Sequence, residues 1–104
     1  MKRIGFKMKL FPGQEKEYKK RHDELWPEMQ KLLKENGANN FSIFLDKETN
    51  ILFAYLEADD FSKLDDLPNH PVQKKWWAYM KDIMETNDDN SPSRVDLEQM
   101  FHLP

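Results

Sequence analysis

The sequence has no cysteine and only three glycines among its 104 residues. Without cysteine the chain cannot form a disulfide, a thiolate nucleophile or a cysteine-ligated metal centre. So few glycines argue against a glycine-rich loop that cradles a phosphate group. No apolar run approaches the roughly 20 residues that a transmembrane helix needs, so we expect no membrane partner.

Neither sign of charge dominates the composition. Sixteen Lys and Arg residues face nineteen Asp and Glu residues, for a formal net charge of -3. The basic residues are spread along the chain, so we expect no nucleic-acid partner. Residues 1–6 alternate as a strand does and lack the apolar segment of a signal peptide. Together with the absence of cysteine, this predicts a cytoplasmic protein.

Aromatic residues are abundant for a chain of this size. The length and a hydrophobic content of 38% predict one domain, residues 1–104, with a single core. Three Trp, three Tyr and seven Phe residues exceed what such a core requires. Surplus aromatic side chains commonly lie at an interface or contact a flat ligand or a sugar.

Hydrophobic periodicity predicts the element order βαββαβ. We expect strands over residues 4–10, 39–46, 50–57 and 94–103, with residues 47–49 connecting the middle pair as a hairpin. A helix is predicted over residues 14–36, kinked at Pro27. A divided helical region follows, with a short segment from residue 59 or 60 and a longer helix from residues 69–71. This order is typical of the ferredoxin-like α+β fold.

The two middle strands are apolar on both faces. In the first of them Ile43 and Leu45 point to one face and Phe44 to the other, and the second strand shows the same pattern. Two helices from so small a chain cover only one face of the sheet. A second copy of the protein is the economical cover for the other face, so the pattern predicts a homodimer.

His22 lies in the middle of an apolar helical arc that includes Tyr18, Leu25 and Met29. An inward histidine destabilises the fold unless its ring nitrogens find partners. One interpretation is a core histidine that hydrogen-bonds the backbone. The other is a general acid–base residue in an aromatic pocket.

The adjacent tryptophans of the last helix differ in their expected environment. Trp76 belongs to an inward stripe, whose other members are Val72, Tyr79, Met80 and Ile83. Trp77 lies off that stripe. Trp77 could therefore contact either a second copy of the chain or a ligand, and the sequence does not decide between these two interpretations.

Other chemistry has little support in the sequence. There is no G-x-S-x-G motif, and Asp88-Asp89-Asn90 lacks the spacing of a calcium loop. The three histidines lack the spacing of a zinc pair, so we expect no metal site. Acid–base catalysis by His22 suits a reaction of low intrinsic barrier. Aromatic rings also pack well against the C–H faces of a sugar.

Several motifs in register identify a resemblance that runs from end to end of the chain. They are Tyr18-x3-His22-x3-Trp26-Pro27, the Gly37-Ala38-x-Asn40 turn before F-S-I-F-L-D, Trp76-Trp77-x-Tyr79-Met80, Asn90-Ser91-Pro92 and Phe101-x-Leu103-Pro104. Together they resemble the L-rhamnose mutarotase family.

This resemblance implies a dimeric α/β barrel, in which two ferredoxin-like sheets pack face to face. It also implies an enzyme without a cofactor that interconverts the α and β anomers of L-rhamnose. By position, His22 would be the proton donor, and Tyr18, Trp76 and Trp77 would contact the sugar. Position 41 is a departure, since Phe41 stands where the family pattern has tyrosine. Its ring could still stack on the sugar, but a hydroxyl contact would be lost.

Two further functions are compatible with the same fold class. One is a monooxygenase or haem-handling protein on a dimeric α/β barrel, since fold alone does not determine function. The other is a non-catalytic module in which His22 is a satisfied core residue and the aromatic side chains serve dimerisation.

Overall fold

The computed structural model describes all 104 residues, Met1–Pro104. It contains four strands and four α-helices, with a short 3-10 turn at Leu67–Asn69 between α3 and α4. The strands are β1 (Lys2–Lys9), β2 (Asn39–Asp46), β3 (Ile51–Ala58) and β4 (Arg94–Leu97). The helices are α1 (Glu15–Asp23), α2 (Pro27–Glu35), α3 (Ser62–Asp65) and α4 (Pro71–Met80). None of these helices has the length and apolar character needed to cross a bilayer.

The strands form one sheet in the order β2-β3-β1-β4, and every neighbouring pair is antiparallel. Helices α1 and α2 connect β1 to β2, and α3 and α4 connect β3 to β4. This connectivity confirms the predicted ferredoxin-like α+β fold. The predicted hairpin between β2 and β3 is also confirmed. It closes at Asn50, whose positive φ of 60° suits the tight turn.

The prediction of one kinked helix over residues 14–36 is wrong. The chain forms two helices, because Trp26 adopts an extended conformation with φ of -56° and ψ of 135° before Pro27. The proline ring disfavours the helical conformation of the residue that precedes it. Pro27 therefore begins α2 at a position where its missing N–H is harmless.

The last strand is shorter than predicted, since β4 ends at Leu97 and residues 98–104 lie outside the sheet. Met100, Phe101 and Leu103 in this tail are exposed. The tail's alternating side chains would continue the face of the sheet that carries Leu97, and no helix covers that face.

The core lies between one face of the sheet and the helices. Phe6, Met8, Leu52 and Ala54 contribute from the strands, and the helical contributors include Met29, Leu32, Trp76 and Met80. The prediction that Tyr79 also points into the core is wrong, because its side chain is 42% exposed at the end of α4.

The opposite face of the sheet is uncovered. It carries Phe44, Phe53, Val95 and Leu97, which are all exposed. The strand registers place Phe44 and Val95 on the face that carries Phe53, since Phe44 pairs with Phe53 and Lys7 pairs with both Phe53 and Val95. We call these four residues the open face.

Candidate active site

His22 lies in the last turn of α1 and is half-buried. Its Nδ1 atom lies 3.0 Å from the carbonyl oxygen of Tyr18, one turn earlier. Because a carbonyl oxygen only accepts hydrogen bonds, Nδ1 must carry the proton in this contact. The Nε2 atom is therefore the ring position left for exchange with a ligand.

Aromatic rings surround His22. The Tyr18 ring stacks on the imidazole with centroids 4.3 Å apart, and the edge of the Trp76 ring meets it at 5.4 Å. Trp26 and Tyr79 extend this group, since both contact Trp76 and also stack on each other at 5.5 Å. We call these five residues the aromatic cluster. Such offset and edge-to-face contacts are the favoured geometries of aromatic pairs.

Burial shifts the titration of both polar rings in the cluster. Desolvation lowers the pKa of His22, although its bond to the Tyr18 carbonyl and the charge of Asp23 oppose this shift. Desolvation also raises the pKa of Tyr18 well above its ordinary value. Tyr18 is therefore a neutral phenol near neutral pH and cannot act there as a base.

No carboxylate shares the immediate contacts of His22. The nearest in sequence, Asp23, is exposed and accepts a hydrogen bond of 2.9 Å from the Lys19 ammonium group. The other two histidines lie elsewhere, with His70 accepting a hydrogen bond from Val72 N–H at the start of α4 and His102 in the exposed tail. The structure contains no group of three or more potential metal-ligating side chains.

The structure brings together three of the five predicted site residues, namely Tyr18, His22 and Trp76. Trp77 is half-buried and packs against the core, but it takes part in none of the ring pairs that form the aromatic cluster. Phe41 lies apart on β2, where it lines a cavity of about 340 Å³. The other side chains lining that cavity are Gln30, Leu33, Lys34, Ala38 and Asn40.

Two features of the site do not follow from sequence pattern. Tyr79 is 42% exposed, and its ring stacks on Trp26. Arg21 lies over the Tyr79 ring at 4.2 Å and pairs with Asp82. Arg21 and Asp82 are 61 positions apart in the sequence, so the periodicity of a helix or strand could not predict their contact. The aromatic-rich motif around Trp76 was the only sequence signal near them.

The fold and the aromatic cluster define the chain as a small ferredoxin-like α+β protein with one half-buried histidine among aromatic rings. Residues 3–103 match the family model for L-rhamnose mutarotase. The chain belongs to the L-rhamnose mutarotase family.

Relatives across several bacteria agree with this assignment. The chain is 56% identical to the L-rhamnose mutarotase of Lachnoclostridium phytofermentans, over 99% of both chains. It is also 56% identical to that of Agrobacterium fabrum, over 100% of this chain and 97% of the relative. The crystal structure of the L-rhamnose mutarotase from Formosa agariphila superposes with a TM-score of 0.94, at 49% identity and complete coverage of both chains.

An antibiotic biosynthesis monooxygenase is a much more distant structural relative. Its crystal structure matches with a TM-score of 0.50 at 11% identity, covering 94% of this chain and 97% of that one. A likeness at this identity shows a shared fold alone. It therefore gives no support to the monooxygenase alternative.

Proposed function

We propose that the aromatic cluster around His22 is the active site of an L-rhamnose mutarotase. The chain is an isomerase that interconverts the α and β anomers of L-rhamnose. The observation that carries this function is the end-to-end match, at 56% identity, to relatives with that name. The family model spans the same length, which supports a single functional domain over residues 1–104.

His22 is the proposed proton donor. In its protonated form it gives the Nε2 proton to the ring oxygen of the sugar while the anomeric hydroxyl loses its own proton. The bond between C1 and the ring oxygen then breaks and leaves the open-chain aldehyde. Rotation about C1–C2 and closure on the other face, with both proton transfers reversed, give the opposite anomer. The Tyr18 carbonyl supports this role because it fixes Nδ1 and leaves Nε2 for the substrate.

A water molecule is the proposed acceptor of the anomeric proton. Tyr18 is unsuited because burial raises its pKa. The Asp23 carboxylate is exposed and bound to Lys19. No other carboxylate contacts the aromatic cluster through a hydrogen bond. A low-barrier ring opening needs no stronger base than this, provided that one proton is positioned well.

The aromatic rings are the proposed walls for the sugar. Tyr18 and Trp76 flank His22, and each keeps only a small exposed edge, 8% and 7%, with which it would meet the C–H groups of rhamnose. Trp77 and Phe41 are proposed as further sugar contacts on the basis of their family positions. Phe41 is 41% exposed, so it is accessible to a ligand, but it offers no hydroxyl group.

The open face supports a homodimer in which two sheets pack against each other. Phe44 is 67% exposed there, and apolar surface of this kind on a sheet is normally covered by another element or another chain. A cytoplasmic location remains a prediction from the composition, chiefly from the absence of cysteine.

Saturation-transfer NMR of L-rhamnose tests the proposed function. We expect that saturating the α anomeric proton depletes the β signal only when catalytic amounts of the protein are present. The His22→Ala variant should remain folded and lose this transfer. Full activity in a folded His22→Ala protein would remove His22 from the mechanism. If wild-type protein accelerated no exchange of L-rhamnose over the buffer blank, the mutarotase function itself would be wrong.

A further inference from the structure

Arg21 makes an unusually complete set of contacts next to the catalytic histidine. Its side chain is only 10% exposed. Its Nη1 and Nη2 atoms donate to the two carboxylate oxygens of Asp82 at 2.8 and 3.2 Å, and Nε donates to Glu17 at 2.8 Å. Nη1 also donates to the Tyr79 carbonyl oxygen at 2.7 Å. Such fork-shaped pairing of arginine with a carboxylate fixes geometry as well as charge.

These contacts join two helices. Arg21 and Glu17 belong to α1, whereas the Tyr79 carbonyl lies in the last turn of α4 and Asp82 follows that helix. The last carbonyls of a helix have no partner within it and carry partial negative charge, so a cation there is favourable. The other helical ion pairs, Lys19–Asp23 and Lys31–Glu35, each join residues one turn apart in a single helix.

The two helices that Arg21 joins carry the two halves of the proposed site. His22 and Tyr18 lie on α1, and Trp76 lies on α4. Arg21 also covers the ring of Tyr79, which in turn packs on Trp76 and Trp26. A shift of α1 relative to α4 would move the imidazole away from the Trp76 edge.

We propose that the Arg21–Asp82 ion pair is a positioning device. It holds His22 of α1 at the distance and orientation from Trp76 of α4 that catalysis requires. Arg21 acts through the helix that bears His22 and through Tyr79, without touching the sugar. The inference rests on the proposed function. Misplacing a catalytic group by about 1 Å can reduce the rate by roughly 100-fold, so a device of this kind matters for turnover.

The test compares three variants in the L-rhamnose exchange assay, with kcat and KM measured separately. We expect Arg21→Met to lower kcat by about tenfold or more while KM changes less than threefold. Asp82→Ala should lower kcat at least threefold, and the double variant should be no worse than Arg21→Met alone, because both changes break one device. Arg21→Lys keeps the charge but not the fork, and should recover only part of the loss.

Lys31→Met is the matched control, since it removes one positive charge from an exposed pair within α2. It should leave kcat and KM unchanged. All rates are taken well below the unfolding temperature of each variant. If Arg21→Met failed to fold, Asp82→Ala would carry the test, because that carboxylate is 64% exposed.

The outcomes separate the two proposals. An active wild-type enzyme with kcat within twofold of wild type in folded Arg21→Met and Asp82→Ala would overturn the positioning role. So would an equal loss in Lys31→Met, which would indicate a general charge effect. An inactive wild-type protein would overturn the proposed function and this inference with it.

Discussion

His22 combines a fixed tautomer with a depressed pKa. The Tyr18 carbonyl binds Nδ1, so the proposed mechanism requires proton exchange with the sugar at Nε2. Burial favours the neutral imidazole, which makes the protonated ring a stronger acid but a rarer species near neutral pH. If His22 is the proton donor, the catalytic rate depends on a balance between acid strength and the protonated fraction.

The pH dependence of catalysis follows from this balance. If protonated His22 is the donor, kcat/KM should rise as the pH falls from 8 and should keep rising below 6.5, since the pKa of His22 is lowered from that value. It should level off below the pKa of His22. Exchange rates corrected for the buffer blank measure this, and an NMR titration of the His22 ring gives the pKa independently. A decline of kcat/KM over the same acidification would instead assign His22 the role of base.

Trp76 and Trp77 should respond differently to truncation. Trp76 is buried and contacts three rings, so Trp76→Ala should lower the free energy of unfolding by roughly 3–5 kcal/mol. Trp77 is half-buried and outside the aromatic cluster, so Trp77→Ala should cost less stability. Since its family position makes Trp77 a proposed sugar contact, the same change should raise KM. Urea unfolding at one protein concentration and exchange kinetics give both quantities. An unchanged KM in Trp77→Ala would exclude Trp77 from the sugar site.

Among the structural elements, the strands and the hairpin were predictable because alternation and turn residues are local signals. The break between α1 and α2 was not, although its cause is local. The sequence pattern continues through Pro27 with helical spacing, and only the conformation of Trp26 decides between a kink and a break. The length of β4 was overestimated, because side-chain alternation continues to Leu103 whereas the pairing with β1 ends at Leu97.

The end of α2 illustrates a signal that did hold. The helix was predicted to end at residue 36, and the next residue, Gly37, has a φ of 90°. The Gly37 N–H group donates to the Lys34 carbonyl at 3.1 Å, and the Ala38 N–H group donates to the Leu33 carbonyl at 3.0 Å. These are the two hydrogen bonds of a Schellman motif. The connection from α2 into β2 depends on this left-handed residue.

Gly37→Ala should lower the free energy of unfolding by about 1–2 kcal/mol, because a Cβ disfavours positive φ. Gly37→Asn is the matched variant and should cost less, since asparagine tolerates this conformation. Thermal or urea unfolding distinguishes the two. A Cβ added at this position would meet no other part of the protein within 4 Å, so steric contact would not explain a loss. Equal stability of Gly37→Ala and wild type would contradict the conformational argument.

In the molecule as a whole, helical periodicity predicted the part of the candidate site whose residues share one helix. Tyr18 and His22 are four residues apart, and helical periodicity placed both on one face. The approach of Trp76 was expected from the family resemblance and from its inward position on α4. The pairing of Arg21 with Asp82 depends on how α1 and α4 pack, and no periodicity within either segment contains that information.

A single charged substitution on the open face tests the predicted homodimer. Lys7 lies directly opposite Phe53 in the register of β1 and β3, so Phe53→Lys would place two ammonium groups side by side on this surface. Desolvating that pair in an interface is costly, whereas a free protomer leaves both groups in water. We expect wild type to sediment as a dimer at micromolar concentration and Phe53→Lys to sediment as a folded monomer.

Phe11→Lys is the control, because Phe11 is also an exposed phenylalanine but lies after β1, outside the open face. This variant should keep the mass of wild type. A dimeric Phe53→Lys protein would mean that the copies associate through another surface, and a monomeric wild type would mean that the homodimer prediction is wrong. Dissociation of Phe53→Lys alone would assign the open face, which β2, β3 and β4 carry, to contact with a second copy.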